Sequence, residues 1–122
     1  MRVVEIGSQN YTKVLAVDEK GAGGANHSYR VVSMATVGEN ETPVVYANVD
    51  FQHGAIKENG INGCHNEDLI AIVIDRLQGF QSGDFACREN AIALTKLEEA
   101  LLWLNKRTND RIKRGVEGLS VQ

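Results

Sequence analysis

The chain lacks most of the features that mark membrane, secreted and DNA-binding proteins. No apolar run approaches the roughly 18 to 20 residues that a membrane helix needs, and the first residues lack the charged-then-apolar pattern of a signal peptide. Its two cysteines, Cys64 and Cys87, form no paired motif, which is typical of a reducing compartment. Basic residues are outnumbered, at 13 against 16 acidic ones, for a net charge of −3. We therefore expect a cytosolic protein that neither crosses a membrane nor binds duplex DNA.

Motifs for catalysis and metal binding are also missing. The cysteines and the three histidines, His27, His53 and His65, include no pair at the close spacing of structural zinc ligands. No serine elbow and no paired-carboxylate motif stands out. We therefore expect no catalytic residue, no metal and no cofactor.

The first half of the 122 residues is rich in glycine and in strand-forming residues. Seven of the twelve glycines fall in residues 1–60, between short β-branched and aromatic runs. The pattern predicts a small antiparallel sheet, with turns at 19–26 and 38–42 and with strands at 3–6, 13–17, 29–34 and 44–51. The glycine-rich segment 21–26 could also suggest a phosphate loop, but a strand follows it where such a loop needs a helix, so a hairpin turn is favoured.

The second half, residues 61–122, has helical periodicity. Residues 66–68 predict a helix start, with Asn66 as the cap, and a turn at 79–83 ends that helix. A longer helix is predicted from Phe85 to Arg114, with Cys87 near its start as a small buried hydrophobe, and residues 116–122 should form a short tail. Both helices have an apolar stripe, formed by Leu69, Ile70, Val73, Ile74, Leu77 and Phe80 in the first and by Leu94, Leu97, Leu101 and Leu104 in the second.

These patterns predict an α+β protein in which a small N-terminal antiparallel β-region (1–60) precedes a C-terminal antiparallel helical hairpin (61–122). Two helices cannot bury both of their faces alone. The hairpin must therefore pack on the sheet, on another subunit, or on both.

The end of the second helix is strongly basic. Residues 105–114 contain five basic side chains and a single acid, Asp110, for a local charge of +4. Arg107, Arg111 and Arg114 are spaced at i, i+4 and i+7, so they share one helical face. Such a stripe suits a diphosphate, because guanidinium groups bind phosphate oxygens bidentately. A solvated face that interacts with the helix dipole is an equal alternative on spacing alone.

Phe80 and Asn90 lie near the turn between the two helices, at the other end of the hairpin. One subunit cannot easily bring Phe80 and Arg107 to the same small ligand, because each helical residue adds about 1.5 Å of rise. If both residues serve one site, that site is shared between antiparallel subunits. The alternative is that Phe80 closes the hairpin core and Asn90 faces solvent.

Several segments resemble the phage anti-Thoeris signal-sponge family. They include residues 65–73, residues 87–91 (Cys-Arg-Glu-Asn-Ala) and residues 114–118 (Arg-Gly-Val-Glu-Gly). The resemblance covers roughly residues 51–118. Over the hairpin alone, the chain also resembles the phage anti-CBASS cyclic-nucleotide sponge.

The resemblance implies a protein that sequesters, without degrading, cyclic ADP-ribose isomers made by TIR-domain enzymes in the host bacterial cytoplasm. It implies that Phe80 stacks on adenine, that Asn90 makes a polar contact, and that Arg107 and Arg111 meet the phosphates. It also suggests self-association as a dimer or a trimer of dimers. A second pocket for cyclic di- or trinucleotides is implied as well, with Arg114, Gly115, Val116, His65 and Asn66 as candidates. The competing functions are an enzyme that degrades the signal and a structural or nucleic-acid-binding phage protein.

Overall fold

The computed structural model describes residues 1–7, 11–34 and 42–120. It divides into two compact units, Met1–Cys64 and His65–Gln122. The first contains an antiparallel sheet and the second contains two packed helices, so the predicted α+β class is confirmed.

The sheet of the first unit has four strands in chain order: β1 (Arg2–Val4), β2 (Thr12–Ala16), β3 (Ser28–Ser33) and β4 (Val45–Asp50). Every neighbouring pair is antiparallel, and a bulge shifts the β3–β4 register between Val31 and Val32. All four strands were predicted to within two residues at each end. Most of the predicted turn at 38–42 lies outside the described residues. The core is small: among the described residues, its buried apolar side chains are Ala16 and Val32.

The glycine-rich segment forms a closed turn between β2 and β3, as predicted. A short 3₁₀ turn at Ala22–Gly24 reverses the chain, with Gly23 and Gly24 at φ of 73° and 79°, a conformation that favours glycine. Asp18 secures the return into β3, because its carboxylate accepts from the backbone N–H of His27 at 2.9 Å and of Ser28 at 3.2 Å. A strand and not a helix follows the turn, so the helix N-terminus that a phosphate loop requires is missing.

The segment after β4 folds back on that strand. Phe51 and Cys64 form a parallel bridge, in which the Cys64 amide donates to the Asp50 carbonyl at 2.9 Å and the Gln52 amide donates to the Cys64 carbonyl at 2.8 Å. The short helix α1 (Ile56–Asn59) lies within this loop. Part of the outer edge of β4 is thereby paired.

Helix α2 (Asn66–Gln81) begins one residue earlier than predicted. His65, and not Asn66, occupies the cap position, and Asn66 is the first helical residue. His65 and Asp68 form a capping box, in which the His65 amide donates to the Asp68 carboxylate at 2.8 Å.

Helix α3 (Arg88–Arg114) begins later than predicted and shows that the expectation for Cys87 was wrong. The Cys87 side chain is exposed and caps the helix, because its Sγ accepts from the Asn90 amide at 3.4 Å. The Gln81 carboxamide bonds both backbone groups of Cys87, at 3.0 Å and 3.1 Å. This clamp holds Cys87 outside the helix, so Phe85 and Ala86 remain in the turn.

The apolar stripes of α2 and α3 face each other, as the periodicity predicts. All four leucines of the α3 stripe are half-buried, and Val73 is the exposed exception in the α2 stripe. Among the described residues of this unit, however, no apolar side chain is fully buried, and Ile72, Leu102 and Trp103 are exposed. The hairpin therefore keeps large apolar surfaces that its two helices do not cover.

Candidate functional site

A cavity of about 380 Å³ lies at the turn end of the hairpin, lined by Leu77, Phe80, Phe85 and Asn90. We call it the aromatic cavity. The Phe80 and Phe85 rings are nearly perpendicular, at 82°, with centroids 6.0 Å apart. The Arg76 guanidinium lies 5.1 Å from the centroid of the Phe80 ring, within the range of a cation–π contact. The sequence identified Phe80 and Asn90 here but missed Phe85 and Arg76.

Asn90 is fixed by the first turn of α3. Its backbone amide donates to the Cys87 sulfur, and its side-chain amide points to the Phe85 carbonyl oxygen at 3.5 Å. That second contact is long, at the limit for a hydrogen bond. The carboxamide can therefore exchange it for a better partner in the aromatic cavity at little cost.

A second cavity, of about 470 Å³, lies near the C-terminal end of α3. We call it the basic cavity, and its lining residues are Trp103, Lys106, Arg107, Asp110, Arg111 and Arg114. Arg107 is exposed and forms no ion pair within the described part of the chain. Lys106 donates to the Asp110 carboxylate at 2.6 Å, and this hydrogen bond lowers the pKa of Asp110. Trp103 was not predicted as a site residue.

Arg111 differs from the other arginines of the predicted stripe. It is only 8% exposed, and it continues the inward-facing row of Leu101, Leu104 and Thr108. Its guanidinium donates to the Glu117 carboxylate at 3.1 Å and to the carbonyl oxygens of Val116 and Leu119 at 2.8 Å and 3.0 Å. Residues 115–120, which we call the C-terminal turn, are therefore folded back onto α3.

The two cavities lie at opposite ends of α3. Asn90 and Arg107 are separated by seventeen residues, which corresponds to about 25 Å along a helix. The structure therefore brings Phe80 to Asn90 and Arg107 to Arg111, but it does not bring the two pairs together within one hairpin.

The candidates for the second pocket are also divided. Arg114 is the last residue of α3, and Gly115 follows at a φ of 76°. The Gly115 amide donates to the carbonyl oxygens of Arg111 and Ile112. Val116 lies in the C-terminal turn beside them. The 16 residues of α2 extend for about 24 Å from the turn, against about 40 Å for the 27 residues of α3. His65 and Asn66, at the start of α2, are therefore level with about Trp103, roughly three turns before Gly115.

No three His, Cys, Asp or Glu side chains of residues 1–7, 11–34 and 42–120 cluster as metal ligands. Over the same residues, no helix combines the length and the apolar character needed to cross a bilayer.

Comparison with known proteins identifies the hairpin. The family model for the Acb2/Tad1 hairpin domain matches residues 44–109, which is more than half of the chain. A relative called Thoeris anti-defense 1, from Bacillus phage SBSphiJ7, is 67% identical over 72 residues. That match covers 59% of this chain and 51% of the relative, so the chain spans about half the length of the relative. The chain therefore belongs to the Acb2/Tad1 hairpin-domain family.

Proposed function

We propose that this protein counters Thoeris defence by binding a cyclic ADP-ribose-type signal and holding it without degrading it. The 67% identity to a Thoeris anti-defense protein supports the biological role. The host bacterial cytoplasm, where TIR-domain enzymes would make the signal, is the proposed place of action.

One observation carries the proposed mechanism: the hairpin has two cavities with complementary chemistry. The aromatic cavity offers the Phe80 ring and the Asn90 carboxamide, which suit a base that is stacked on one face and hydrogen-bonded at its edge. The basic cavity offers Arg107, whose planar guanidinium suits phosphate oxygens. A cyclic ADP-ribose isomer carries both chemical groups, an adenine and a diphosphate.

Because the two cavities are far apart within one hairpin, the proposal includes self-association. About 25 Å along α3 separates Asn90 from Arg107, and a small cyclic nucleotide does not span that distance. A second hairpin packed antiparallel to the first would place its basic end beside the aromatic cavity of its partner. Burial of Ile72, Leu102 and Trp103, which a single chain leaves exposed, would stabilise such a dimer or a trimer of dimers.

Arg111 has a modified role in this proposal. Its bonds to the C-terminal turn occupy the guanidinium, so a phosphate contact would require the signal to share it or to replace Glu117. Arg107 is therefore the principal phosphate ligand that we propose. Binding of cyclic di- or trinucleotides at Arg114, Gly115 and Val116, with His65 and Asn66, stays a prediction.

A recovery experiment tests sequestration against degradation. Purified protein is incubated with the product of a TIR-domain enzyme, separated from free ligand, and heat-denatured, and the released compound is identified by chromatography and mass. We expect intact ligand in an amount stoichiometric with the protein. A product of changed mass would indicate an enzyme, and no bound ligand would refute the proposed function.

A variant pair and a salt series sharpen this experiment. Arg107→Ala should release little ligand, whereas Lys113→Ala, a basic residue near the same helix end but outside the basic cavity, should behave as the wild type. Filter binding with long RNA or DNA at physiological salt tests the alternative that this is a nucleic-acid-binding protein. Retention that weakens steeply as salt increases would favour a nucleic-acid-binding protein.

A further inference from the structure

Phe85 lines the aromatic cavity, and no sequence motif marks it as a site residue. We propose that Phe85 is a second aromatic contact, beside Phe80, for the base of the bound nucleotide. This inference rests on the proposed function, because it concerns the base of the same signal.

The geometry of the two rings defines where a base would lie. Arg76 lies over one face of Phe80 and is not among the residues that line the cavity, so we place the base on the opposite face of the ring. A base that stacks on this face is perpendicular to Phe85, because the rings meet at 82°. Where its edge meets Phe85, the two rings would form the edge-to-face arrangement that aromatic rings favour.

The packing of the hairpin does not account for the exposure of Phe85. The residue lies in the turn between α2 and α3, is 74% exposed, and belongs to neither apolar stripe. Its ring contact is with Phe80, the residue proposed to stack on the base. A bound base would cover the apolar surface that Phe85 now presents to water.

Asn90 links Phe85 to the polar edge of the base. Its side-chain amide contacts the Phe85 carbonyl oxygen at 3.5 Å, so the carboxamide and the Phe85 backbone form one rim of the cavity. A carboxamide donates and accepts at once, which suits the adjacent donor and acceptor on an adenine edge.

Two substitutions at this position separate an aromatic contact from general apolar surface. Phe85→Leu keeps an apolar side chain but removes the ring, and we expect the affinity for cyclic ADP-ribose-type signal to fall about 5- to 100-fold by calorimetry. Phe85→Tyr keeps the ring and should stay within about threefold of the wild type. Tyr46→Leu, which removes an exposed ring from the sheet unit, is the matched control and should not change affinity.

Two further measurements separate base stacking from subunit assembly. Light scattering reports assembly: if Phe85→Leu loses affinity only because it no longer self-associates, Phe85 is a subunit contact and the proposal is overturned. Fluorescence quenching of 1,N6-ethenoadenosine 5′-monophosphate reports base stacking alone, because its etheno bridge removes the adenine edge that Asn90 would bind. Unchanged binding by Phe85→Leu in both ligand assays would also overturn the proposal.

The fluorescent probe allows the role of Phe85 to be tested separately from the proposed function. If the wild type binds no cyclic ADP-ribose-type signal, the proposed function fails. If the wild type quenches the etheno nucleotide and Phe85→Leu does not, the aromatic cavity would still be supported as a purine site. A wild type that neither binds the signal nor quenches the probe refutes both.

Discussion

The Nε atom of Arg111 lies 3.1 Å from Oε2 of Glu117, six residues further along the chain and beyond the end of α3. The same guanidinium donates to two backbone carbonyl oxygens of the C-terminal turn. A buried guanidinium needs such partners, because an unpaired buried charge is strongly unfavourable. Arg111 is therefore the residue that holds the C-terminal turn against the helix.

Replacing Glu117 should loosen the C-terminal turn and leave the hairpin folded. Glu117→Gln removes the charge that faces Arg111, and we expect the free energy of unfolding to fall by roughly 1 to 2 kcal/mol. Hydrogen exchange should accelerate at the amides of Val116, which donates to the Arg111 carbonyl oxygen, and Leu119, which donates to the Val116 carbonyl oxygen. Glu98→Gln, on the exposed surface of α3, is the control. Equal exchange in both variants would show that the ion pair does not order the turn.

The arginine stripe shows how far periodicity alone can predict a site. The spacing placed Arg107, Arg111 and Arg114 on one face, and all three line the basic cavity. Arg111 also continues the row of Leu101 and Leu104, so it lies at the border between the exposed and the packed face. Its partners come from the C-terminal turn, whose path depends on Gly115 at a positive φ and has no helical period. Periodicity could therefore not distinguish a phosphate ligand from a structural arginine.

Arg107 is the residue whose loss should affect binding without affecting the fold. Its side chain is exposed, so Arg107→Ala removes no packing that the hairpin needs. If Arg107 binds a phosphate in a desolvated site, the binding free energy of the cyclic signal should become less favourable by about 2 to 5 kcal/mol in Arg107→Ala. Calorimetry measures this change directly. The melting temperature should stay within about 2 °C of the wild type. Arg107→Ala with unchanged affinity would remove this residue from the site.

The helices and strands were predictable because their signals are local. Apolar stripes, β-branched runs and glycine turns placed every element of the described sheet and both long helices within about three residues. The start of α3 was placed at Phe85 because nothing in that stretch stops a helix. The stop comes from the Gln81 carboxamide, which bonds both backbone groups of Cys87. That contact leaves Phe85 in the turn, where its ring contacts Phe80, and no sequence pattern predicts this ring contact.

Gly63 should not tolerate a side chain. A Cβ atom at this position would lie 2.6 Å from the Asp50 carbonyl oxygen and 2.5 Å from that of Phe51, where the Cys64 bridge forms. Gly63→Ala must shift this backbone, and we expect a loss of about 1 to 3 kcal/mol in the stability of the sheet unit by chemical denaturation. Gly79→Ala is the matched control, because its Cβ meets nothing within 4 Å and it lies inside α2. That variant should gain up to about 1 kcal/mol.

Acid should weaken the turn between β2 and β3 through Asp18. The backbone N–H of His27 is the main cause that lowers the pKa of this carboxyl, with further contributions from Ser28 and Asn26. Since the folded-state pKa lies below the unfolded value of about 3.9, Asp18 stabilises the fold above that pH and loses its contribution as the pH falls through the lower folded-state value. The melting temperature of the sheet unit should therefore fall more steeply below about pH 4.

The Asp18→Asn variant isolates this contribution, because an amide has no proton to gain over that range. Near neutral pH it should be less stable than the wild type, because the His27 and Ser28 amides donate to different carboxylate oxygens. The Asn amide has one oxygen, which is a weaker acceptor than a carboxylate, and its NH2 group cannot accept the second bond. As the pH decreases, the difference in melting temperature between the two proteins should shrink, because protonation removes the charge from the wild type as well. A difference that stays constant from about pH 7 to about pH 2.5 would show that the ionised Asp18 carboxylate does not stabilise the turn.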